Sequence, residues 1–339
     1  MTSKRIVLFT ALSAALSTLV VASGGTDPVD AQEPIVMKIA TVAPEGTPWE
    51  RQLRQFKDYV EKRTNGRVQV KMFMGGSLGG EKALVRRTGQ GSIQVFGGST
   101  AALASVVPEL NVVEAPFLFE TYQQADTALD RDAVLSQVKA LCEQRGFKFG
   151  FWAENGFRSW FTKERPIRTP ADLEGLRMRS QEALVHLETY RAFGASPVPI
   201  DVTNVLTSLQ TGVVDGFDNT PLFSFATSWY QAARHMFVGQ HSYQPGIIVY
   251  SKTWFDGLPA DIQQVLTSVP AADITAGREG VRRMDPILIR NLERHGIDVH
   301  TPSAAEIAPF KNKVKGIPAR IAAKAGRGGQ ALLRAIQTR

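Results

Sequence analysis

After Gln32 the chain alternates short apolar runs with stretches whose apolar residues recur every three or four positions, a pattern that confines it to layered α/β folds. Residues 35–41 read as a strand. Thr47-Pro48-Trp49-Glu50 then joins a capping box, Thr47 with Glu50, to proline at the first helical position. That helix presents Leu53, Phe56 and Val60 on one face and ends near Asn65-Gly66. Strands at 68–74 and 93–96, helices at 81–87, 122–129 and 133–145, and an aromatic strand at 147–153 complete a first unit. A second set follows Asn155, with strands at 176–179, 198–200 and 213–217 between helices at 182–193, 202–209 and 221–230. Two α/β units of similar size predict a cleft between them. From Leu258 onward helical signals dominate, and Pro270 and Pro286 are placed to kink a long C-terminal helix.

Composition removes most conventional catalytic machinery. The length of 339 residues suits two domains with cores of their own. A single cysteine, Cys142, excludes an internal disulfide framework and multi-cysteine metal sites. The five histidines (His186, His235, His241, His295 and His300) show no zinc spacing and no evident acid partner. No nucleophile elbow occurs, and Asp215 with Asp218 is weak ground for acid–base chemistry, Asp218 reading as a turn-capping acid. Gly75-Gly76-Ser77-Leu78-Gly79-Gly80 lies between a strand and a helix, yet Glu81-Lys82-Ala83 follows where a phosphate loop needs Gly-Lys-Ser/Thr. These glycines read as a turn. No cofactor, no metal and no enzymatic activity is expected.

The formal charge of +7 is terminal in origin. From Lys311 to Arg339 there are eight basic residues and no acids, which leaves the body close to neutral. No aromatic residue follows Phe310 for base stacking, so a solvated helical end is expected rather than a nucleic-acid site. At the other terminus, Lys4 and Arg5 precede an uncharged run from Ile6 to Ala22 and a small, polar stretch. That is the pattern of a secretory signal peptide over residues 1–31, with Val29 and Ala31 fitting a cut before Gln32. The product is expected to be exported to a periplasm.

Two arginines in apolar surroundings stand apart. Arg158 lies within Asn155-Gly156-Phe157-Arg158-Ser159-Trp160-Phe161, and Arg179 ends Leu176-Arg177-Met178-Arg179. A guanidinium buried there needs a partner, either an internal acid or a bound carboxylate that matches its planar fork. If Arg177 and Arg179 take opposite sides of a short strand, Arg177 meets water and Arg179 the cleft.

At Gly175-Leu176-Arg177-Met178-Arg179, Phe193-Gly194-Ala195-Ser196-Pro197-Val198-Pro199 and Leu209-Gln210-Thr211-Gly212-Val213-Val214-Asp215-Gly216, the chain resembles a known family. It is similar to the DctP-type solute-binding subunits of tripartite ATP-independent periplasmic (TRAP) transporters. Leu78-Gly79-Gly80-Glu81, Ala115-Pro116-Phe117-Leu118-Phe119, Gly156-Phe157-Arg158 and Trp254 with Leu258-Pro259 add to the match, which runs from about Ile35 to Val265. The resemblance implies a two-domain α/β periplasmic binding protein that closes on a solute. It places residues 32–155 with about 244–283 in one domain, and 156–243 with about 284–339 in the other. It also implies that Arg179 holds the solute's carboxylate, assisted by Arg158 and Asn219, with a TRAP permease of small and large membrane subunits as partner. A sensing role, or an exported enzyme, is the alternative. The protein is expected to act as a monomer.

Departures from the family pattern bear on the solute. Phe217-Asp218 stands where Gln-Glu is frequent, Val202 where an aromatic is common, Asn204 where an acid is, and Ser99 where some sugar-acid binders carry glutamate. Fewer polar groups favour a monocarboxylate with an apolar portion, with Phe217 and Trp152 forming the apolar wall and Ser99 a further contact.

Overall fold

Eleven strands among the described residues form two sheets; the computed structural model describes residues 33–338. In chain order they are β1 (Ile35–Ala40), β2 (Val68–Phe73), β3 (Val95–Ser99), β4 (Phe147–Phe157), β5 (Ser159–Thr162) and β6 (Arg177–Ser180). The rest are β7 (Ser196–Pro199), β8 (Gly216–Asn219), β9 (His235–Phe237), β10 (Tyr243–Ser251) and β11 (Asp298–His300). The first sheet runs β2-β1-β3-β10-β4, with β1 parallel to β2 and β3, and β10 antiparallel to β3 and β4. The second runs β11-β9-β5-β8-β6-β7, with β6 parallel to β7 and β8. The expected signal peptide, residues 1–31, lies outside the described residues.

Local sequence explains how the sheets are covered. The helix Pro48–Arg63 is capped by Thr47, whose hydroxyl accepts from the Glu50 amide. Its apolar stripe of Leu53, Phe56 and Val60 packs on the first sheet, where Phe56 meets Phe151 edge-on at 5.6 Å. Each such side chain contributes about 1.5–3 kcal/mol when fully buried. The helix can lie this close because β10 has glycine at position 246: a Cβ there would come 2.5 Å from the Trp49 ring. Asn65 and Gly66, both left-handed, end the helix and turn the chain into β2.

The chain crosses between the sheets at Arg158, between β4 and β5, and again between β9 and β10. Helices supply a third crossing: Ala271–Arg282 packs on β4 and the helix Pro48–Arg63, while Asp285–Arg294 packs on the helix Pro221–Ala226 and on β11. They meet at Arg283 and Met284, with Pro286 in the first turn of the second helix, so the long helical stretch is bent where proline forbids continuation.

The basic C-terminal segment is more than a solvated end. Its helices Ala304–Val314, Ile317–Lys324 and Gly326–Gln337 place Phe310, Ile321, Leu332 and Ile336 in the largest apolar cluster. The lysines occupy the opposite faces, where Lys311 pairs with Glu120, and Lys324 with Glu188 at 2.9 Å.

Candidate functional site

The carboxyl ends of β1 and β3 in the first sheet, and of β6 and β8 in the second, converge on one cavity, the usual place for a ligand in parallel α/β sheets. Its free volume is about 40 Å³, room for only a few waters. Trp49, Glu81, Ser99 and Gln244 line it from first-sheet segments, and Arg179, Asn219 and Phe223 from second-sheet segments.

Arg179 is 3% exposed and stands at the cleft end of β6. Its Nε and Nη2 donate to the Ile200 carbonyl at 3.1 and 2.9 Å, and its guanidinium stacks over Trp229 at 5.2 Å. Among the described residues no carboxylate pairs with it, and Nη1 makes no hydrogen bond. Burial, with repulsion from Arg158, brings its pKa down to about 10, so it stays a cation at neutral pH. Arg177 is exposed, as expected, although alternation is not the cause, and it is bonded to Asp215. Residues two apart share a strand face. The two arginines differ because Arg177 opens β6 at its exposed start, whereas Arg179 lies farther along, toward the cavity.

Arg158 also lines the cavity but is already engaged. Its Nε and Nη2 donate to the Asp218 carboxylate and carbonyl, both at 2.6 Å, and Nη1 donates to Gln244 Oε1 at 2.9 Å. Asp218, read from sequence as a turn cap, is buried at this centre and accepts from Tyr190 at 2.8 Å, with His241 Nε2 3.2 Å away. Burial raises its pKa, but Arg158 and His241 overcome this and hold the carboxyl well below the ordinary range. The donor set assigned to Arg158 is thus largely spent inside the protein.

Asn219 and Ser99 face the cavity as expected. Asn219 Oδ1 accepts from the Thr220 amide at 2.8 Å, and its Nδ2 makes no hydrogen bond among the described residues. Ser99 Oγ donates to Glu81 Oε2 at 2.9 Å and accepts from Gln181 Nε2 at 2.7 Å. Phe217 and Trp152 stand outside the lining. Phe217 is cross-strand partner to Phe161, stacks on it at 4.7 Å and is sealed in the second sheet's core by Trp229. Trp152 packs on Phe149, away from the cleft, and donates from Nε1 to the Leu129 carbonyl at 3.2 Å. Trp49, Val42, Val202 and Phe223 form the apolar wall instead.

Glu81, Gln181 and Gln244 were not singled out as site residues by sequence. Gln244 links Arg158 to Glu114, donating to Glu114 Oε2 at 2.6 Å, and that acid also holds His186 at 2.9 Å. Glu81 was visible only as the acid unsuited to a phosphate loop. Burial raises its pKa despite the hydrogen bonds from Ser99.

Two α/β sheets enclosing a polar cavity, with strand ends aimed at it from both sides, define a cleft-type solute-binding protein. The model of bacterial extracellular solute-binding protein family 7, DctP, matches residues 39–325, and the chain belongs to that family, whose members are the binding subunits of transporters rather than enzymes. A solute-binding protein of Verminephrobacter eiseniae is 32% identical over 72% of each chain. The 2,3-diketo-L-gulonate-binding periplasmic protein YiaO of Escherichia coli is 28% identical over 73% of this chain and 75% of its own. The crystal structure of the sugar acid binding protein DctPAm of Advenella mimigardefordensis with galactonate superposes with a TM-score of 0.84 at 27% identity, covering 90% of this chain and 98% of that one.

Proposed function

We propose that the protein captures an organic monocarboxylate between its two sheets and delivers it, in the periplasm, to the small and large membrane subunits of a TRAP permease. The observation that carries this reading is Arg179, a buried cation that pairs with no carboxylate among the described residues. An isolated buried charge costs several kcal/mol, and a bound carboxylate accepting from Nη1 and from Asn219 Nδ2 offsets that cost. The charge count favours one carboxylate over two. Arg158 is neutralised by Asp218, which leaves Arg179 as the one cation of the lining without a paired carboxylate among the described residues.

Val42, Val202, Trp49 and Phe223 favour a solute with an apolar portion. Gln181, Ser99 and Glu81 supply groups for hydroxyls, in keeping with the sugar acids named for the two relatives above. Closure works by differential affinity, since a solute touching both walls favours the state in which they are near. The hinge of this reading lies at Arg158, at the segment between β9 and β10, and at Arg283–Met284. The reading takes residues 32–155 with about 244–283 as one domain and 156–243 with about 284–339 as the other, although the last helix, Gly326–Gln337, packs on the helices Tyr122–Leu129 and Asp132–Gln144 of the first. Calorimetry over a panel of aliphatic and aromatic monocarboxylates, sugar acids, dicarboxylates and sialic acid tests it. Binding of a monocarboxylate is the expected result, and binding of dicarboxylates or sialic acid alone overturns it.

A further inference from the structure

The mouth of the cleft carries a contact that solute capture alone does not require. Gly80 precedes the helix Glu81–Gly89 beside the first sheet, and Asp201 follows β7 in the second. A Cβ on Gly80 would lie 1.9 Å from Asp201 Oδ2 and 2.3 Å from Oδ1. The carboxylate therefore occupies the volume that any other residue at position 80 would claim. Backbone conformation is not the reason for glycine here, because φ is −72°, an angle every residue adopts.

Asp201 is not free to swing aside at no cost. Its Oδ1 accepts from the Thr203 amide at 3.0 Å and from the Thr203 hydroxyl at 2.7 Å, capping the 3₁₀ turn Val202–Asn204. Val202 of that turn lines the cavity, so displacing the cap moves a wall of the site. Charge acts in the same direction. The helix Glu81–Gly89 has no side-chain cap of its own, and the Asp201 carboxylate sits at its positive end. Other contacts bridge the same mouth: Lys82 pairs with Glu182 at 3.3 Å, and Gln181 Nε2 donates to Glu81 Oε2 at 2.9 Å.

We propose that Gly80 and Asp201 form the latch of the closed cleft. The missing side chain at position 80 lets the Asp201 carboxylate seat, and the depth of that seat sets whether the Arg179 wall and the Glu81 wall reach the same solute. This inference rests on the reading that the cleft closes on a solute. The helix start then acts as a gauge of closure as well as a wall of the site.

The test pairs calorimetry with distances between spin labels at Gln55→Cys and Gln210→Cys, both exposed and on opposite sides of the cleft; Cys142 is buried and stays unlabelled. Galactonate, glucuronate and lactate, supplied together, serve as the probe. Gly80→Val is expected to fold with an unchanged melting curve, to bind about a hundredfold more weakly, and to keep the long distance at saturation. Gly80→Ala should lose about tenfold, and adding Asp201→Ala to it should restore the short distance but only part of the affinity, since the cap of the Val202 turn goes with it. Wild-type closure and affinity in Gly80→Val overturn the latch, as does a failure of Asp201→Ala to restore the short distance. If none of the three acids closes the wild type, these three are excluded as the solute. The latch is then judged on the unliganded protein, where Gly80→Val must still remove the shortest distances, and no difference overturns it.

Discussion

Arg158 and Arg179 line one cavity and are almost equally buried, yet the protein treats their charges in opposite ways. Arg158 is wrapped by Asp218 and Gln244. Arg179 has a carbonyl and an aromatic face, and no carboxylate bonded to it among the described residues. In the proposed function the fully paired charge belongs to the scaffold, and the one that pairs with no carboxylate among the described residues is kept for the solute. Residue type and burial are the same in both cases, so only the partner distinguishes structure from site.

The sharpest way to break the comparison is to remove each guanidinium and see which property collapses. Arg158→Ala leaves the Asp218 carboxylate buried with only Tyr190 and His241, and should cost about 3–5 kcal/mol of stability in urea unfolding. Arg179→Ala should leave the unfolding midpoint unchanged or raise it, because no acid among the described residues is bonded to it, while solute affinity falls by about 3 kcal/mol, near a hundredfold. If Arg179→Ala destabilises as much as Arg158→Ala, the two residues do one job and the distinction is lost.

A third cluster tests the same charge accounting with the sign reversed. Arg282 forks onto Asp126 at 2.7 and 2.6 Å and must also serve Glu154 at 2.8 Å, while Arg278 is taken up by Asp126 and Asp130. Glu154 Oε2 also accepts from Tyr243 at 3.0 Å, but Oε1 has no partner. Burial therefore outweighs Arg282 and lifts Glu154 to about 7, and it lifts nearby Asp285, which accepts from Tyr122, to about 6. Because these folded-state values exceed the unfolded ones, the stability the two acids contribute is complete below about pH 4 and is lost as pH rises through about 7. Glu154→Gln should flatten the fall in stability between about pH 5 and about pH 8, by on the order of 2–3 kcal/mol. An unaltered pH slope in that variant would show that Arg282 serves Glu154 as fully as Arg158 serves Asp218.

What could be read from sequence follows from the range of the interactions involved. The helix at 122–129 and the long helix begun by Thr47-Pro48 were legible because their signals are local: a cap, a proline, a periodic stripe. β10 was not, since all nine of its residues are buried and its run carries no alternation to mark a strand. Its place in the middle of the first sheet depends on pairing with β3 and β4, far away in the chain. The site divides the same way. Arg179 was visible as a charge inside an apolar segment, but its freedom from an acid, and the capture of Arg158 by an acid 60 residues on, are facts of tertiary contact. Phe217 was misplaced for a related reason: nothing in the sequence shows that Phe161 lies opposite it across the strand pair.

The smallest expected effect concerns Asn219, which holds a position between the two arginines in character. Its Oδ1 is used by the scaffold, through the Thr220 amide, while its Nδ2 is left for the cavity. Asn219→Ala should therefore weaken solute binding by about 1 kcal/mol, roughly fivefold, the value of one neutral hydrogen bond. The same change frees the Thr220 amide at the start of the helix Pro221–Ala226, where the Thr220 hydroxyl still accepts from Phe223, so stability should fall by well under that amount. Asn219→Asp keeps the acceptor and replaces the free donor with a negative charge that repels a carboxylate. It should bind more weakly than Asn219→Ala in calorimetry. Equal affinities for the two variants would mean that Nδ2 never reaches the solute's charge, leaving Arg179 as the single contact to it.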